Sequence, residues 1–378
     1  MELELMNFRR NLHAHPELSG QEKETQRRIK EKLSQHGIQP TQDVGQFGTL
    51  YTFRFGDGPH LLVRVDIDAL AIREVNDFEH RSTYDGISHK CGHDGHATIG
   101  VGLALKLKEE PLASGTVSVL FQPSEENGEG ARGILDDPSF DVHAFDAAVA
   151  LHNIPGAPHH QVLWKYKNFT PAVQSLIIRL KGRTAHAAQP LTGENPTYAI
   201  SEIVQEALRL EETDEKHPNY RLITPVYTEI GSKDYGISAG YGEIHFTIRS
   251  WLQKDMEAAT EAIIQSASNI ATQHRLAMDT EILAVFAANQ NAKEVVDAVR
   301  KAAGALDLDD HERSEPFPWG EDFGLFTQHI PGAMFGLGSG VNTPALHNPD
   351  YDYPDDITLT GVNLFYEIAK DFCVKNPV

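Results

Sequence analysis

Apolar residues recur at two rhythms along this chain, and the change of rhythm divides it. At the start Leu3, Phe8, Leu12, Ile29 and Leu33 space like one helical face. Pro16 breaks that helical stretch, and Gly37, just past His36, is placed to end it. Short apolar runs follow. T-L-Y-T-F-R-F precedes the Gly56–Gly58 turn, and H-L-L-V-R-V comes next. Ala97 to Lys108 predicts a helix apolar on one side. T-V-S-V-L-F-Q and D-A-A-V-A-L-H predict buried strands. Strand patterns alternating with helical ones predict an α/β sheet with helices on its faces.

The middle of the chain alternates differently. V-Q-S-L-I-I-R-L-K reads as a strand, and 196–211 as a helix with Asn195 as N-cap and Pro196 in the first helical position. R-L-I-T-P-V-Y-T-E-I and G-E-I-H-F-T-I-R-S-W predict two further strands. Residues 254–274 predict a helix with Met256, Ala259, Ile263, Ile264, Ala267 and Ile270 on one side, and M-D-T-E-I-L-A-V-F a last strand. The order βαββαβ is that of a ferredoxin-like unit. Residues 172–286 are therefore expected to form a small α+β domain inserted into a larger one made of 1–171 and 287–378. The larger domain resumes with a helix at 291–304, the strand A-M-F-G-L-G and a helix from Thr358. The predicted fold class is α/β, a mixed sheet flanked by helices, plus this insert.

Composition narrows the partners. Lys and Arg total 33 against 54 Asp and Glu, a net charge of −21 over 378 residues. So acidic a chain repels phosphate backbones and anionic lipid heads, so neither nucleic acid nor a membrane surface is expected as a partner. Hydrophobic residues at 40% argue for a packed globular protein. Two cysteines, Cys91 and Cys373, define no disulfide framework. The first residues lack an apolar signal core and no run reaches membrane-spanning length, so a cytoplasmic location is expected.

Metal-type residues close four separate segments. Asp66 and Asp68 follow L-L-V-R-V. Cys91-Gly-His93-Asp94-Gly-His96 lies in a loop opening a helix. Glu125 and Glu126 follow T-V-S-V-L-F-Q-P-S, and His152 follows A-V-A-L. Three of the four are predicted at the C-terminal end of a strand, the edge where open α/β sheets bind ligands. His347, in P-A-L-H-N-P-D, is a fifth candidate. Thiolate, imidazole and carboxylate together suit zinc or a similar first-row cation. Five or more donors are too many for one open tetrahedral site and about right for two bridged cations.

Each group has an ordinary reading when taken singly. Cys91 alone is a small buried apolar residue, His152 a surface histidine, Glu125–Glu126 a solvated pair, and Asp66 and Asp68 caps or turn formers. Their joint placement at one sheet edge favours a metal site. His13, His15, His80, His89, His143, His159 and His160 have no such setting and are expected at the surface. Two rivals stand beside the metal enzyme: a cysteine hydrolase with Cys91 as nucleophile, and a metal-loaded protein that binds amino-acid derivatives without turnover.

These segments, together with R-R-N-L-H-A-H-P-E-L-S, R-V-D-I-D-A-L, C-G-H-D-G-H-A, F-Q-P-S-E-E, A-L-H, R-T-A-H-A-A-Q-P, G-E-D-F and L-H-N-P, run nearly the whole length. The sequence resembles the metal-dependent aminoacylase/carboxypeptidase amidohydrolases, in the subgroup of hippurate hydrolases and indole-acetyl-amino-acid hydrolases. The resemblance implies a zinc-exopeptidase-like catalytic domain with an inserted ferredoxin-like lid. It implies hydrolysis of the amide bond of small N-acyl amino acids or peptide-like substrates. It implies two divalent metal ions, zinc by the cysteine in the set, with manganese, cobalt and nickel also compatible.

By the same resemblance Cys91, His93, Glu126, His152 and His347 match the metal ligands, Glu125 the general base and Asp68 the acid that orients the centre. His186 matches a lid histidine that polarises the scissile carbonyl, supplied by a partner subunit in some members, so a homodimer through the lid is compatible. Arg249 sits where some members hold the substrate carboxylate. The chain departs from relatives at Lys90, where a small residue is usual, at Ser124, where Ala is usual, and in G-R-T-A-H-A-A, where a glycine-rich form is commoner.

Overall fold

Four parallel strands carry the larger part of the computed structural model, which describes residues 1–374. His60–Asp66 lies between Thr116–Gln122 and Ala147–Ile154, and Gly332–Gly338 flanks Ala147–Ile154 on its other side. Gly48–Arg54 adds antiparallel to Thr116–Gln122, making the whole a mixed sheet. Leu61 through Asp66 and all of Ala147–Ile154 are buried, which is why these strands read as continuous apolar runs. Parallel strands end at a common edge. Asp66, the Glu125–Glu126 turn and His152 therefore arrive on one side of the sheet.

This unit comprises Met1–Phe169, Asn289–Ser314 and Glu321–Val378. Its central helix, His93–Glu109, was expected to be apolar on one face only. Instead all but its lysines and last residue are buried, because it lies on the sheet and is covered by the helices Glu2–Ala14 and Thr358–Val374. A Cβ on Gly100 would stand 2.8 Å from Val65 Cγ2, so the absent side chain sets how closely the helix approaches the strands. The helix also begins at His93, four residues before the apolar pattern does. Its first turn is made of site residues rather than core residues, so hydrophobic periodicity does not mark it.

The second unit comprises Thr170–Ala288 and the short stretch Glu315–Gly320. Four antiparallel strands are ordered Arg221–Ile230, Tyr241–Ser250, Ala172–Lys181, Ala277–Phe286. Along Tyr241–Ser250 the buried residues alternate strictly, with Ile244, Phe246 and Ile248 inward. They meet Ile200 and Ile203 of the helix Thr197–Leu208 and Met256 and Ile263 of the helix Gln253–Gln273. Pro196 precedes the first helix rather than opening it. Asn195 still serves that terminus, since its Oδ1 accepts from the Thr197 backbone N–H at 2.9 Å.

Two histidines expected at the surface are in the core of the first unit. His13 and His89 are both buried. His13 Nδ1 faces Asp94 at 2.8 Å and Nε2 faces Glu74 at 3.0 Å. Lys90 also bonds Glu74, and Arg9, itself buried, reaches Asp94, Asp352 and Asp355. A charged network of this kind carries no apolar periodicity, so the pattern along the chain cannot reveal it. Burial drives the His89 imidazole down to about 4.

Burial alone would also lower His13, but Asp94 and Glu74 outweigh it and push the imidazole up to about 9. Its raised folded pKa makes its contribution to stability fully present below the ordinary value of 6.5 and lost as pH rises through about 9. His13→Asn should therefore be less stable than the parent at about pH 6, with the gap closing by about pH 10. Urea unfolding at a series of pH values checks this; a gap that does not depend on pH would contradict it.

Candidate metal centre

The strand ends deliver carboxylates, and the turn before the central helix delivers sulfur and imidazole. Gly92 lies between Cys91 and His93 with φ +93°, the left-handed region. A Cβ there would meet Asn153 Nδ2 at 2.5 Å and Tyr351 Oη at 2.9 Å. Only glycine lets this backbone turn and pack against Asn153, so the spacing C-G-H has a steric cause. Asn153 fixes the same turn by donating to the Cys91 carbonyl at 2.7 Å, and Tyr351 bonds the Asn153 side chain in turn.

Donor atoms of Cys91, His93 and His152 lie within 4.8 Å of one another, and so do those of Cys91, Glu126 and His347. The two groupings share the sulfur. His93, Glu125 and Glu126 form another such grouping, as do Asp66, His93 and His96. Cys91 Sγ is 3.5 Å from His152 Nε2, and His347 Nε2 is 3.6 Å from Glu126 Oε1. All five residues expected as ligands are thus brought together. His152 lies inside its strand rather than just past it, two residues before the end.

The histidines are oriented from behind. His93 Nδ1 is 3.0 Å from Asp68 Oδ1, which turns Nε2 toward Glu125 and Glu126 at 4.0 and 3.8 Å. His152 Nδ1 donates to the Asn153 carbonyl at 2.9 Å and leaves Nε2 facing the sulfur. Such partners fix tautomer and ring orientation in metal sites. Asp68 Oδ2 accepts from Ser19 Oγ at 2.7 Å and from the Glu126 N–H at 3.0 Å, so one carboxylate ties together three segments of the site.

Donor chemistry and leftover valences fit cations. His93 Nε2 and Glu126 Oε1 are buried with no hydrogen-bond partner among the described residues. Burial, and then Glu126, Glu125 and Asp66, raise the Cys91 thiol well above its ordinary range. Burial, and then Glu321, Glu126, Asp322 and Asp68, raise the Glu125 carboxyl likewise. Burial opposes charge on His93, but Asp66, Asp68 and Glu126 overcome it and push that imidazole up to about 10. A pocket so rich in acceptors draws positive charge, which divalent cations supply.

Several supporting residues were not singled out from the sequence. Arg64 is wholly buried and bonds Asp66 at 2.6 Å, Asp322 at 2.6 Å and Glu321 at 2.9 Å. Gln122 bonds Asp322. His96, already among the metal-type residues of the helix-opening loop, bonds Asp66 at 2.6 Å. The signal was present in R-V-D-I-D and G-E-D-F, but an arginine inside an apolar strand gives no direction. The remaining two candidates are on the second unit. His186 is exposed on the short strand Ala185–His186, and its Nδ1 accepts from the Ala188 N–H at 3.0 Å, which leaves the proton on Nε2. Arg249 is half-buried and donates to the Pro318 carbonyl at 3.0 Å.

A strand-end cluster of sulfur, imidazole and paired carboxylates on an α/β sheet defines a metal-dependent hydrolase, and comparison with known proteins agrees. Residues 62–371 match Peptidase family M20/M25/M40, and the chain belongs to that family. It is 31% identical to the N-acetyl-L-cysteine deacetylase of Bacillus subtilis, over 100% of this chain and 90% of that protein. It is 24% identical to the hippurate hydrolase of Campylobacter jejuni, over 98% and 96%. Among solved structures it is similar to the Bacillus subtilis YXEP protein, described as a dinuclear metal binding peptidase of the M20 family. There the TM-score is 0.83 at 27% identity, over 98% of each chain. The expected enzyme class, a metal-dependent amidohydrolase, stands with the family, and fold and donor set together support two divalent cations. No helix among the described residues is long and apolar enough to cross a membrane.

Gly92→Ala should destabilise the protein by about 1–3 kcal/mol or more, the cost of an unfavourable left-handed backbone plus the Asn153 contact. Chemical denaturation measures it; a change within about 0.5 kcal/mol would show that the turn tolerates a side chain.

Proposed function

We propose that this protein hydrolyses the amide bond of small N-acyl amino acids, with Cys91, His93, Glu126, His152 and His347 holding two divalent cations and Glu125 acting as general base. The observation that carries the reading is the pair of donor groupings that share Cys91, with a second carboxylate, Glu125, in the same cluster. The relatives named N-acetyl-L-cysteine deacetylase and hippurate hydrolase support a substrate of the N-acyl amino acid class. Sulfur and imidazole in the set favour zinc among the metals such ligands bind.

A bound pair of cations supplies a water of lowered pKa and a Lewis acid for the carbonyl oxygen. Glu125 takes a proton from the attacking water and returns it to the leaving amine. Glu126 is occupied as a ligand, so the adjacent carboxylates divide the work. Asp68 holds His93 and the Glu126 backbone in place. His186, with its proton on Nε2, is the donor proposed for the developing oxyanion. Arg249 is the group proposed for the substrate carboxylate.

Glu125→Gln should lower kcat about 10²–10⁴-fold while two metal equivalents stay bound. Steady-state kinetics on a panel of N-acetyl and N-benzoyl amino acids, with metal analysis of the same samples, is the check. Near-normal kcat in this variant would overturn the base assignment. Thorough chelation should abolish turnover, and added zinc should restore it. Activity that survives chelation and dies with a thiol alkylator would instead make Cys91 a nucleophile.

A further inference from the structure

Ser124 stands immediately before the proposed base and has φ +58°, the left-handed region that a serine rarely adopts. Something must hold it there. Its backbone N–H donates to Glu22 Oε1 at 2.8 Å, and its hydroxyl reaches the same oxygen at 3.3 Å. On the far side of the base, the Glu126 N–H is held by Asp68 at 3.0 Å. The Ser124 carbonyl accepts from Gly130 N–H at 2.9 Å, closing the turn. Glu125 is therefore carried by a peptide pinned before and after it by carboxylates from distant parts of the chain.

Glu22 has no evident task in its own helix. It immediately precedes the helix Lys23–Gln35, but the N–H groups of Glu24 and Thr25 are taken by Glu17, at 3.2 and 2.6 Å. Glu22 is fully buried and its Oε2 has no hydrogen-bond partner among the described residues. Burial, and then the charge of Asp68, push its carboxyl up to about 7. A buried acid facing another acid is unfavourable for folding, and helix capping does not account for it. What its bonded oxygen does hold is Gly20 and Ser124.

We propose that Glu22 is a positioning residue for Glu125, clamping the left-handed Ser124 backbone so that the neighbouring carboxylate is aimed into the metal centre. The proposal rests on the reading of Glu125 as the base. The Ser124 hydroxyl adds a side-chain bond to the same clamp.

The test is a mutant cycle on the metal-loaded enzyme with an N-acyl amino acid. Glu22→Ala should lower kcat about 10- to 100-fold, the scale of a small misplacement of a reacting group. KM and bound metal should stay within about twofold. In that background Ser124→Gly, which takes the left-handed conformation without strain, should recover at least about threefold. Glu22→Ala with Glu125→Gln should be no slower than Glu125→Gln alone, since Glu22 acts only through Glu125. Losses that multiply, a fall in metal content in place of kcat, or a Glu22→Ala kcat within about twofold of the parent would overturn the proposal. If Glu22→Ala does not fold, Glu22→Gln keeps one acceptor oxygen and should show a smaller kcat loss with the same non-additivity. A Glu125→Gln enzyme that stays fast overturns the base assignment and this proposal together. A slow one beside a normal Glu22→Ala overturns this proposal alone.

Discussion

Acidic groups held close together in a dry place repel one another, and the larger unit is organised around that repulsion. Asp66, Asp68, Glu125, Glu321 and Asp322 are all buried at or below one edge of the sheet. Positive charge relieves such a cluster. The chain supplies part of it below the edge, where the guanidinium of Arg64 serves Asp66, Glu321 and Asp322 at once. At the edge itself it supplies sulfur, imidazole and carboxylate donors with unspent valences, the arrangement that divalent cations complete.

Parallel topology brings these groups to one place. Strands at 60–66, 116–122 and 147–154 come from different parts of the chain and end together. The central helix starts where they end, so the turn that leads into it can present Cys91 and its first residue His93 to the same spot. Hydrogen bonds then refine the placement. Asp68 joins Ser19, His93 and Glu126, and Asn153 joins Cys91, His96 and Tyr351.

The ligand-type residues were legible because chemistry restricts them: few roles put Cys, His and paired Glu just after apolar strands. The strands of the second unit were legible because Tyr241–Ser250 keeps period two without a fault. What the chain does not announce is polar burial. His13 and His89 look like surface histidines, since nothing local reveals Asp94 and Glu74, which reach His13 from residues far away in sequence. Arg64 hides for the same reason: an arginine in a strand is ordinary until Asp322, 258 positions later, is seen against it. The first turn of the central helix was missed because its residues serve the site and break the apolar rhythm.

The family match begins at residue 62, yet four side chains upstream of it reach residues in or beside the candidate centre. Arg9 and His13 reach Asp94, Ser19 reaches Asp68, and Glu22 reaches Ser124. The opening helices thus brace the segments that carry the proposed site. An engineered truncation at residue 62 would strip the scaffolding from behind Asp94 and Asp68 while leaving every proposed metal ligand in the gene.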